Sequence, residues 1–108
     1  MRVLFIESHK FTEQVARLNA EQAVWELENE LLQNPNKGDL IQGTGGFRKI
    51  RMKMSGRGKS AGARVVYFHL KDQAVIFLFL LYTKGGQSDL TAEQKAALRQ
   101  QAHYLKQP

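Results

Sequence analysis

The sequence of 108 residues contains no cysteine. Without thiols the chain has no disulfide framework, no thiolate metal site and no cysteine nucleophile. This usage is typical of proteins from a reducing compartment, and we expect a cytoplasmic location. The three histidines, His9, His69 and His103, are not spaced with one another or with carboxylates as zinc ligands are. The sequence therefore predicts no metal site and no cofactor.

Long apolar segments are also missing. The longest apolar run, AVIFLFLLY at Ala74–Tyr82, has nine residues, whereas a membrane-spanning helix needs about 20. The N-terminal stretch MRVLFIESHKF turns polar after a short apolar run and has no small-residue cleavage site. The sequence therefore predicts a chain without a membrane partner, and we interpret the apolar run as a buried strand.

Acidic residues are absent from the middle of the chain. Residues 40–71 contain eight lysines and arginines and no acid, whereas residues 1–39 contain seven acids and four bases. A cluster of cations produces a local positive field that attracts polyanions. An ordinary solvated surface, by contrast, usually mixes the two signs of charge. This distribution favours nucleic-acid binding over its alternative, a solubilising basic surface.

Hydrophobic periodicity predicts a single α+β domain over 1–108, with the element order β-α-α-β-β-β-α. Asn19 is interpreted as the N-cap of the second helix, and Trp25 beside that helix's apolar stripe is expected to pack. A capping box from Thr91 to Gln94 opens the last helix. The last three strands are joined by short loops, so we expect an antiparallel sheet with helices on one face, in two layers.

Cations alternate with apolar residues along RKIRMKM at Arg48–Met54. Such alternation is typical of a strand with one buried face and one solvated face. Lys49, Arg51 and Lys53 are therefore expected to line the solvated face.

The register of the following hairpin decides whether a second strand adds cations to this face. If the loop is centred between Arg57 and Gly58, Arg51 lies opposite Arg64, and directly opposed residues project from the same face. A one-residue slip or a bulge would place Arg64 on the other face. The next hairpin is expected to bring Tyr82 and Lys84 towards the same end of the sheet.

Two further side chains lie on the strand after the basic segment. Tyr67 is interpreted either as a core residue with its hydroxyl at the rim or as a base-stacking residue. His69 is interpreted either as a partly buried strand histidine or as a general acid or base.

Four segments together resemble the RelE/HigB-like toxins of bacterial type II toxin–antitoxin systems: IQGTGGFRKIR, GRGK, GARVVYF and SDLTAEQ. The HigB branch, with its G-T-G-G-x-R-K-x-R segment, is the most similar. The resemblance extends from about Glu7 to Leu98 and implies a RelE-like domain with a twisted antiparallel sheet and helices on one side.

The resemblance also implies a function and partners. Proteins of this kind are small ribonucleases that enter the ribosomal A site, where they meet rRNA and cut translated mRNA. A neutralising antitoxin is implied, of the helix-turn-helix, HigA-like type, and operator DNA is contacted only through the toxin–antitoxin complex.

Site residues follow from the resemblance together with the strand pattern. The catalytic candidates are Lys49, Arg51, Arg64, Tyr82 and Lys84. The RNA-binding candidates are Arg48, Lys53, Arg57, Lys59, Tyr67 and His69. The sequence departs from close relatives at Gly85 and Gly86, where Asn and Glu are common.

We expect metal-independent cleavage in which the RNA 2′-hydroxyl attacks the adjacent phosphate. Arg51 and Arg64 would stabilise the charge that builds on phosphorus. Lys49 is a candidate base, and Tyr82 or His69 would protonate the leaving oxygen. The alternative function is a non-catalytic module that binds RNA or DNA.

Overall fold

The computed structural model describes residues 2–54, 62–83 and 90–107. The elements in chain order are β1 (Leu4–Glu7), α1 (His9–Leu18), α2 (Glu21–Gln33), β2 (Asp39–Leu40), β3 (Phe47–Met52), β4 (Ala63–Leu70), β5 (Val75–Thr83) and α3 (Ala92–Leu105). A short 3-10 turn joins β4 to β5. The α+β class is confirmed, and the order agrees with the predicted one except for the additional strand β2. That strand has two residues, which is too short to produce a periodic pattern.

The five strands form one sheet in the order β1-β5-β4-β3-β2. The pairs β3–β4 and β4–β5 are antiparallel, as the short loops indicate, and β2 pairs antiparallel with β3. β1 pairs parallel with β5. The sheet is therefore mixed rather than wholly antiparallel, because β1 joins the last strand in the chain rather than its sequence neighbour.

Helices α1 and α2 pack on one face of the sheet, called here the helix-pair face. The apolar stripe of α2 is buried as predicted, and it meets residues that alternate along the strands. The strand residues of this core are Ile50, Met52, Ala63, Val65, Tyr67, Ile76, Leu78 and Leu81. Trp25, however, is 59% exposed. Its expected packing is wrong because it lies on the outer side of α2.

The third helix packs on the opposite face, called here the α3 face. Leu98, Ala102 and Leu105 of α3 contact a second apolar cluster that contains Phe47 and Phe68. The rings of these two phenylalanines lie 5.0 Å apart in an edge-to-face arrangement. The prediction that all helices lie on one face is therefore correct only for α1 and α2. Apolar residues on both faces of β5 require cover on both sides.

The residues at the helix ends explain where α1 ends and α2 begins. Ser8 caps α1 by accepting the N–H of Phe11 at 3.0 Å. Asn19 has a φ of 51° and ends α1, whereas Ala20 precedes α2 without a side-chain cap. The N-cap prediction for Asn19 is wrong because asparagine also tolerates the left-handed conformation that terminates helices. The capping box between Thr91 and Gln94 is confirmed.

A β-bulge interrupts the β4–β5 ladder. Val66 pairs with Leu80 but the next residue, Tyr67, pairs with Leu78, so Phe79 is an extra residue in β5. Side chains of the first helical segment satisfy the displaced backbone groups. Ser8 donates its hydroxyl to the Phe79 carbonyl at 2.8 Å, and Gln14 accepts the N–H of Leu81 at 2.8 Å.

The glycine-rich segment before β3 is a structured turn. Gly43, Gly45 and Gly46 have φ values of 81°, 77° and 127°, which other residues rarely adopt. The hydroxyl of Thr44, fully buried, donates to the Ile41 carbonyl at 2.7 Å. The turn thus fixes where β3 begins. Within the described ranges, no helix has the length and hydropathy needed to cross a bilayer.

Candidate nucleic-acid interface

Three consecutive strands contribute directly opposed residues to one row. Arg51 on β3 pairs with Arg64 on β4, and Arg64 in turn pairs with Tyr82 on β5. Opposed residues project from the same face with their Cβ atoms about 5 Å apart. The predicted register of Arg51 against Arg64 is confirmed, and Tyr82 joins the same row.

The row lies on the α3 face of the sheet. Tyr82 belongs to the cluster beneath α3, and Ile50, which follows Lys49 along β3, points to the other face. Lys49 is on the α3 face opposite Val66. We call Lys49, Arg51, Arg64 and Tyr82 the basic row.

The members of the basic row differ in exposure. Arg51 is exposed, and Lys49 and Arg64 are half-buried. Tyr82 is only 8% exposed, so most of its ring packs and little of it reaches solvent. The arrangement therefore offers charge at the surface and a phenol beneath it.

Two arginines, Arg51 and Arg64, are directly opposed in this row. Neither Arg51 nor Arg64 forms an ion pair with a carboxylate anywhere in the described part of the chain. Like charges directly opposed across strands destabilise a sheet. A bound phosphate would relieve this repulsion, and arginine binds phosphate oxygens through two parallel hydrogen bonds.

Sequence reasoning missed one acid beside the row. Asp39 on β2 is directly opposite Lys49 and therefore shares its face. No periodic pattern identified β2, so nothing in the sequence placed this carboxylate next to a predicted site lysine. Lys53 follows the end of β3 and is exposed.

Arg48 lies on the helix-pair face, away from the basic row. It is opposite Tyr67, and its Nη1 donates to the carbonyls of Asn36 at 3.1 Å and Gly38 at 2.7 Å. Alternation along β3 turns Arg48 to the side where it binds the loop before β2, so its RNA-binding role stays a prediction that would have to operate from the helix-pair face.

Tyr67 is a core residue. Its side chain is fully buried on the helix-pair face; its hydroxyl donates to the Pro35 carbonyl at 2.8 Å and accepts the Gly38 N–H at 2.9 Å. Burial, the largest cause, raises the pKa of the phenol. The base-stacking interpretation is corrected in favour of packing, since no ring face is accessible.

His69 is also on the helix-pair face, two residues beyond Tyr67 on β4. Its Nδ1 lies 2.9 Å from the side-chain oxygen of Asn36. Burial lowers the pKa of His69, and the nearby charges of Arg48 and Lys71 lower it further. The sheet separates its ring from the basic row, so an RNA-binding role for His69 stays a prediction that would have to operate from the helix-pair face.

Four predicted features lie outside the described residues. These are Arg57, Lys59, Lys84 and the Gly85–Gly86 departure. The basic row is thus defined without them.

A groove of about 290 Å³ runs between α2 and the end of β3. Arg51 and Lys53 line its strand side, whereas Glu26 and Glu30 line its helix side. The carboxylates of Glu26 and Glu30 would repel a phosphate chain from this groove. In the ranges 2–54, 62–83 and 90–107, no three histidines or acids are grouped as metal ligands.

One comparison identifies the family, and a second supports the fold. A family model described as the RelE toxin of the RelE/RelB toxin–antitoxin system matches residues 7–107. The fold is similar to a structure of the E. coli toxin RelE, solved as a double arginine-to-alanine mutant in the free state. That match has a TM-score of 0.59 and 17% sequence identity, and it covers 82% of this chain and 90% of the other. The match to residues 7–107 spans both the basic row and α3, and on that ground the chain belongs to the RelE toxin family.

Proposed function

We propose that this protein is a ribosome-dependent mRNA endoribonuclease that inhibits translation as the toxin of a type II system. The observation that carries the proposal is the directly opposed pair Arg51 and Arg64, neither of which forms an ion pair among the described residues, with Tyr82 beside them. Membership of the RelE family supports a toxin function, and the basic row supports an RNA substrate.

The proposed reaction is attack by the RNA on itself. The 2′-hydroxyl gives up its proton to a base as its oxygen bonds to the adjacent phosphorus, the bond from phosphorus to the 5′-oxygen breaks, and the 5′-oxygen takes up a proton from an acid. The products are a 2′,3′-cyclic phosphate and a 5′-hydroxyl. The protein must hold the strand in line and stabilise negative charge on the phosphoryl oxygens.

Each member of the basic row has a proposed part in this step. Arg51 and Arg64 bind the phosphoryl oxygens from adjacent strands, and Lys49, two residues before Arg51 on β3, is the proposed base that takes the proton of the 2′-hydroxyl. Tyr82 is the proposed proton donor to the leaving oxygen, because the other candidate, His69, lies on the opposite face. Lys84 keeps its proposed catalytic role, and Lys53, Arg57 and Lys59 their proposed RNA-binding role.

The partners follow from the family and from the charge. We infer an A-site mRNA substrate with rRNA contacts, an action in the cytoplasm, and a cognate antitoxin. The G-T-G-G-x-R-K-x-R segment supports the HigB branch, and with it a helix-turn-helix, HigA-like antitoxin that carries the complex to operator DNA.

Product chemistry tests the reaction. Purified protein is added to ribosomes translating a defined mRNA, and the RNA ends are analysed. We expect 5′-hydroxyl and 2′,3′-cyclic phosphate ends, and no cleavage when the nucleotide that supplies the nucleophile is 2′-deoxy. Ends with a 5′-phosphate and a 3′-hydroxyl, or cleavage of the deoxy substrate, would contradict the mechanism.

One observation favours the alternative, a non-catalytic RNA- or DNA-binding module. Tyr82 is only 8% exposed, which restricts a phenol that must reach a leaving oxygen. Induced expression in bacteria separates the two functions, because a ribonuclease arrests growth with loss of full-length mRNA and a simple binder leaves the mRNA intact.

A further inference from the structure

The sheet has an open edge at β1. Leu4 donates its N–H to Ala74 at 3.0 Å and Ser8 donates to Leu78 at 2.9 Å, so alternate residues of β1 bond to β5. The backbone groups of Phe5 and Glu7 therefore point away from the sheet. On this side no hydrogen bond joins them to another described residue.

Apolar side chains accompany the open edge on the α3 face. Phe5 packs against the core beneath α1 and α2, so its neighbours Leu4 and Ile6 project from the opposite face. They are 60% and 38% exposed. An edge strand with exposed apolar residues and no lysine or proline is a template for pairing with another chain.

Carboxylates accompany the same edge on the helix-pair face. Glu7, the last residue of β1, lies close enough to Glu28 on α2 for their charges to interact. Burial and the Glu7 carboxylate together raise the pKa of Glu28. Two neighbouring carboxylates on this face would be stabilised by a cation placed between or beside them.

The surface continues along α2. Trp25 and Leu32, which flank Glu28 on the same side of the helix, are 59% and 38% exposed. Leu32 and Leu4 also line a shallow depression of about 630 Å³ at the start of β1. Apolar contact area is therefore available beyond the strand edge itself.

We propose that this edge, formed by β1 with Glu28 and Leu32 of α2, is a docking surface for an extended segment of a partner protein in which lysine or arginine alternates with apolar residues. The segment would add to β1 as a sixth strand. Main-chain hydrogen bonds to Phe5 and Glu7 supply affinity, and alternating side chains supply specificity. One side of the added strand meets the carboxylates, and the other meets Leu4 and Ile6.

A second copy of this chain suits the edge less well. Pairing two β1 strands around a two-fold axis would bring a second Glu7 and a second Glu28 to the same face of the joined sheets. That arrangement adds two carboxylates to a site that already has two. Charge complementarity therefore favours a cationic partner segment.

The docking surface is separate from the basic row and independent of the proposed ribonuclease activity. β1 forms one edge of the sheet, and Arg51 lies three strands away, about 14 Å at the usual strand spacing. A segment bound to β1 would leave Arg51 and Arg64 accessible.

A pair of capped heptapeptides tests the proposal. The first, acetyl-KVKVKVK-amide, alternates lysine with valine, and the second, acetyl-EVEVEVE-amide, replaces each lysine by glutamate. The protein has a net charge of +6, so general electrostatics would favour the glutamate peptide. We expect only the lysine peptide to change the fluorescence of Trp25, the single tryptophan, and to slow amide hydrogen exchange at Phe5 and Glu7.

Charge-reversal variants provide the control. Glu7→Lys and Glu28→Lys are each expected to weaken binding of the lysine peptide by about fivefold. Glu93→Lys, the same change on α3, should leave it within about twofold, and thermal unfolding verifies that each variant folds. The proposal is overturned if the lysine peptide does not bind, binds without protecting Phe5 and Glu7, or is weakened equally by Glu93→Lys. None of these results depends on RNA cleavage.

Discussion

The two faces of the β3–β4 hairpin use their positive charges differently. On the α3 face, Arg51 and Arg64 oppose each other, and neither forms an ion pair with a described carboxylate, although Arg51 lines a groove with Glu26 and Glu30. On the helix-pair face, Arg48 donates to two loop carbonyls. The same residue type, three positions apart on one strand, is thus available to a ligand in one case and engaged in the fold in the other.

The contrast between Arg48 and Arg51 indicates that charge density alone does not define a binding site. Arg48 belongs to the same acid-free segment as Arg51, yet its guanidinium donates hydrogen bonds to the segment before β2. A variant that removes a cation should therefore affect function on the α3 face and stability on the helix-pair face. Four predictions test this separation, in order of decreasing effect.

Arg64→Ala should reduce ribosome-dependent mRNA cleavage by about 100-fold or more, because a charge that stabilises the transition state is lost. The melting temperature should stay the same or rise, since one of two opposed cations is gone. Cleavage rates and thermal unfolding measure the two effects. Arg17→Ala, on the exposed side of α1, is the matched control and should cleave normally. Loss of stability in parallel with activity would contradict the separation.

Tyr67→Phe should lower the free energy of unfolding by about 2 kcal/mol, because the buried N–H of Gly38 loses its acceptor. Cleavage by the folded variant should be unchanged. Urea denaturation measures the stability. Tyr104→Phe is the control, since Tyr104 is 74% exposed and its hydroxyl is solvated. Reduced cleavage at full folding would return Tyr67 to the site.

Arg48→Ala and Lys49→Ala compare neighbours on opposite faces. Arg48→Ala should cost about 1 kcal/mol of unfolding free energy through its lost hydrogen bonds and leave the salt dependence of RNA binding unchanged. Lys49→Ala should instead reduce the slope of log K against log salt by about 0.7, the value for one phosphate of a single strand. Equal slopes for the two variants would show that the faces do not differ.

His69→Gln should change stability slightly and only in acid. The pKa of His69 in the folded state lies below its usual 6.5, so between these two values the unfolded chain binds a proton that the folded chain does not. Wild-type stability therefore falls as the pH drops through this window. The variant should lack this pH-dependent loss of unfolding free energy. The loss should be less than about 0.5 kcal/mol, because the ring is largely solvated. Denaturation at pH 5 and pH 7.5 measures this difference. An equal change in unfolding free energy in wild type and variant would exclude a contribution from His69.

Much of the fold and part of the site are predictable from sequence for identifiable reasons. Alternation along Arg48–Met54 is a local signal, and it correctly separated Lys49 and Arg51 from Ile50. The register with Arg64 agrees with the expectation that the hairpin is centred between Arg57 and Gly58. The short strand β2 and its Asp39 could not be predicted, since two residues carry no period.

The placement of three predicted site residues away from the basic row has one physical cause. Tyr67, His69 and Arg48 were assigned to the RNA site from proximity along the chain, but side chains alternate between faces. What holds these three residues is the loop at 35–38, which contacts them through Pro35, Asn36 and Gly38. Such a long-range contact has no signature in the sequence of either partner.

The extra residue in β5 determines which side chain accompanies the arginines. If the pairing of Tyr67 with Leu78 continued without interruption, Arg64 would meet Leu81, an aliphatic neighbour with nothing to offer a phosphate. Phe79 advances the frame by one, and so a phenol takes that position while Leu81 enters the core. The identity of the third residue in the basic row therefore depends on α1. Gln14 of this helix and its N-cap Ser8 hold the irregular backbone of β5 in place.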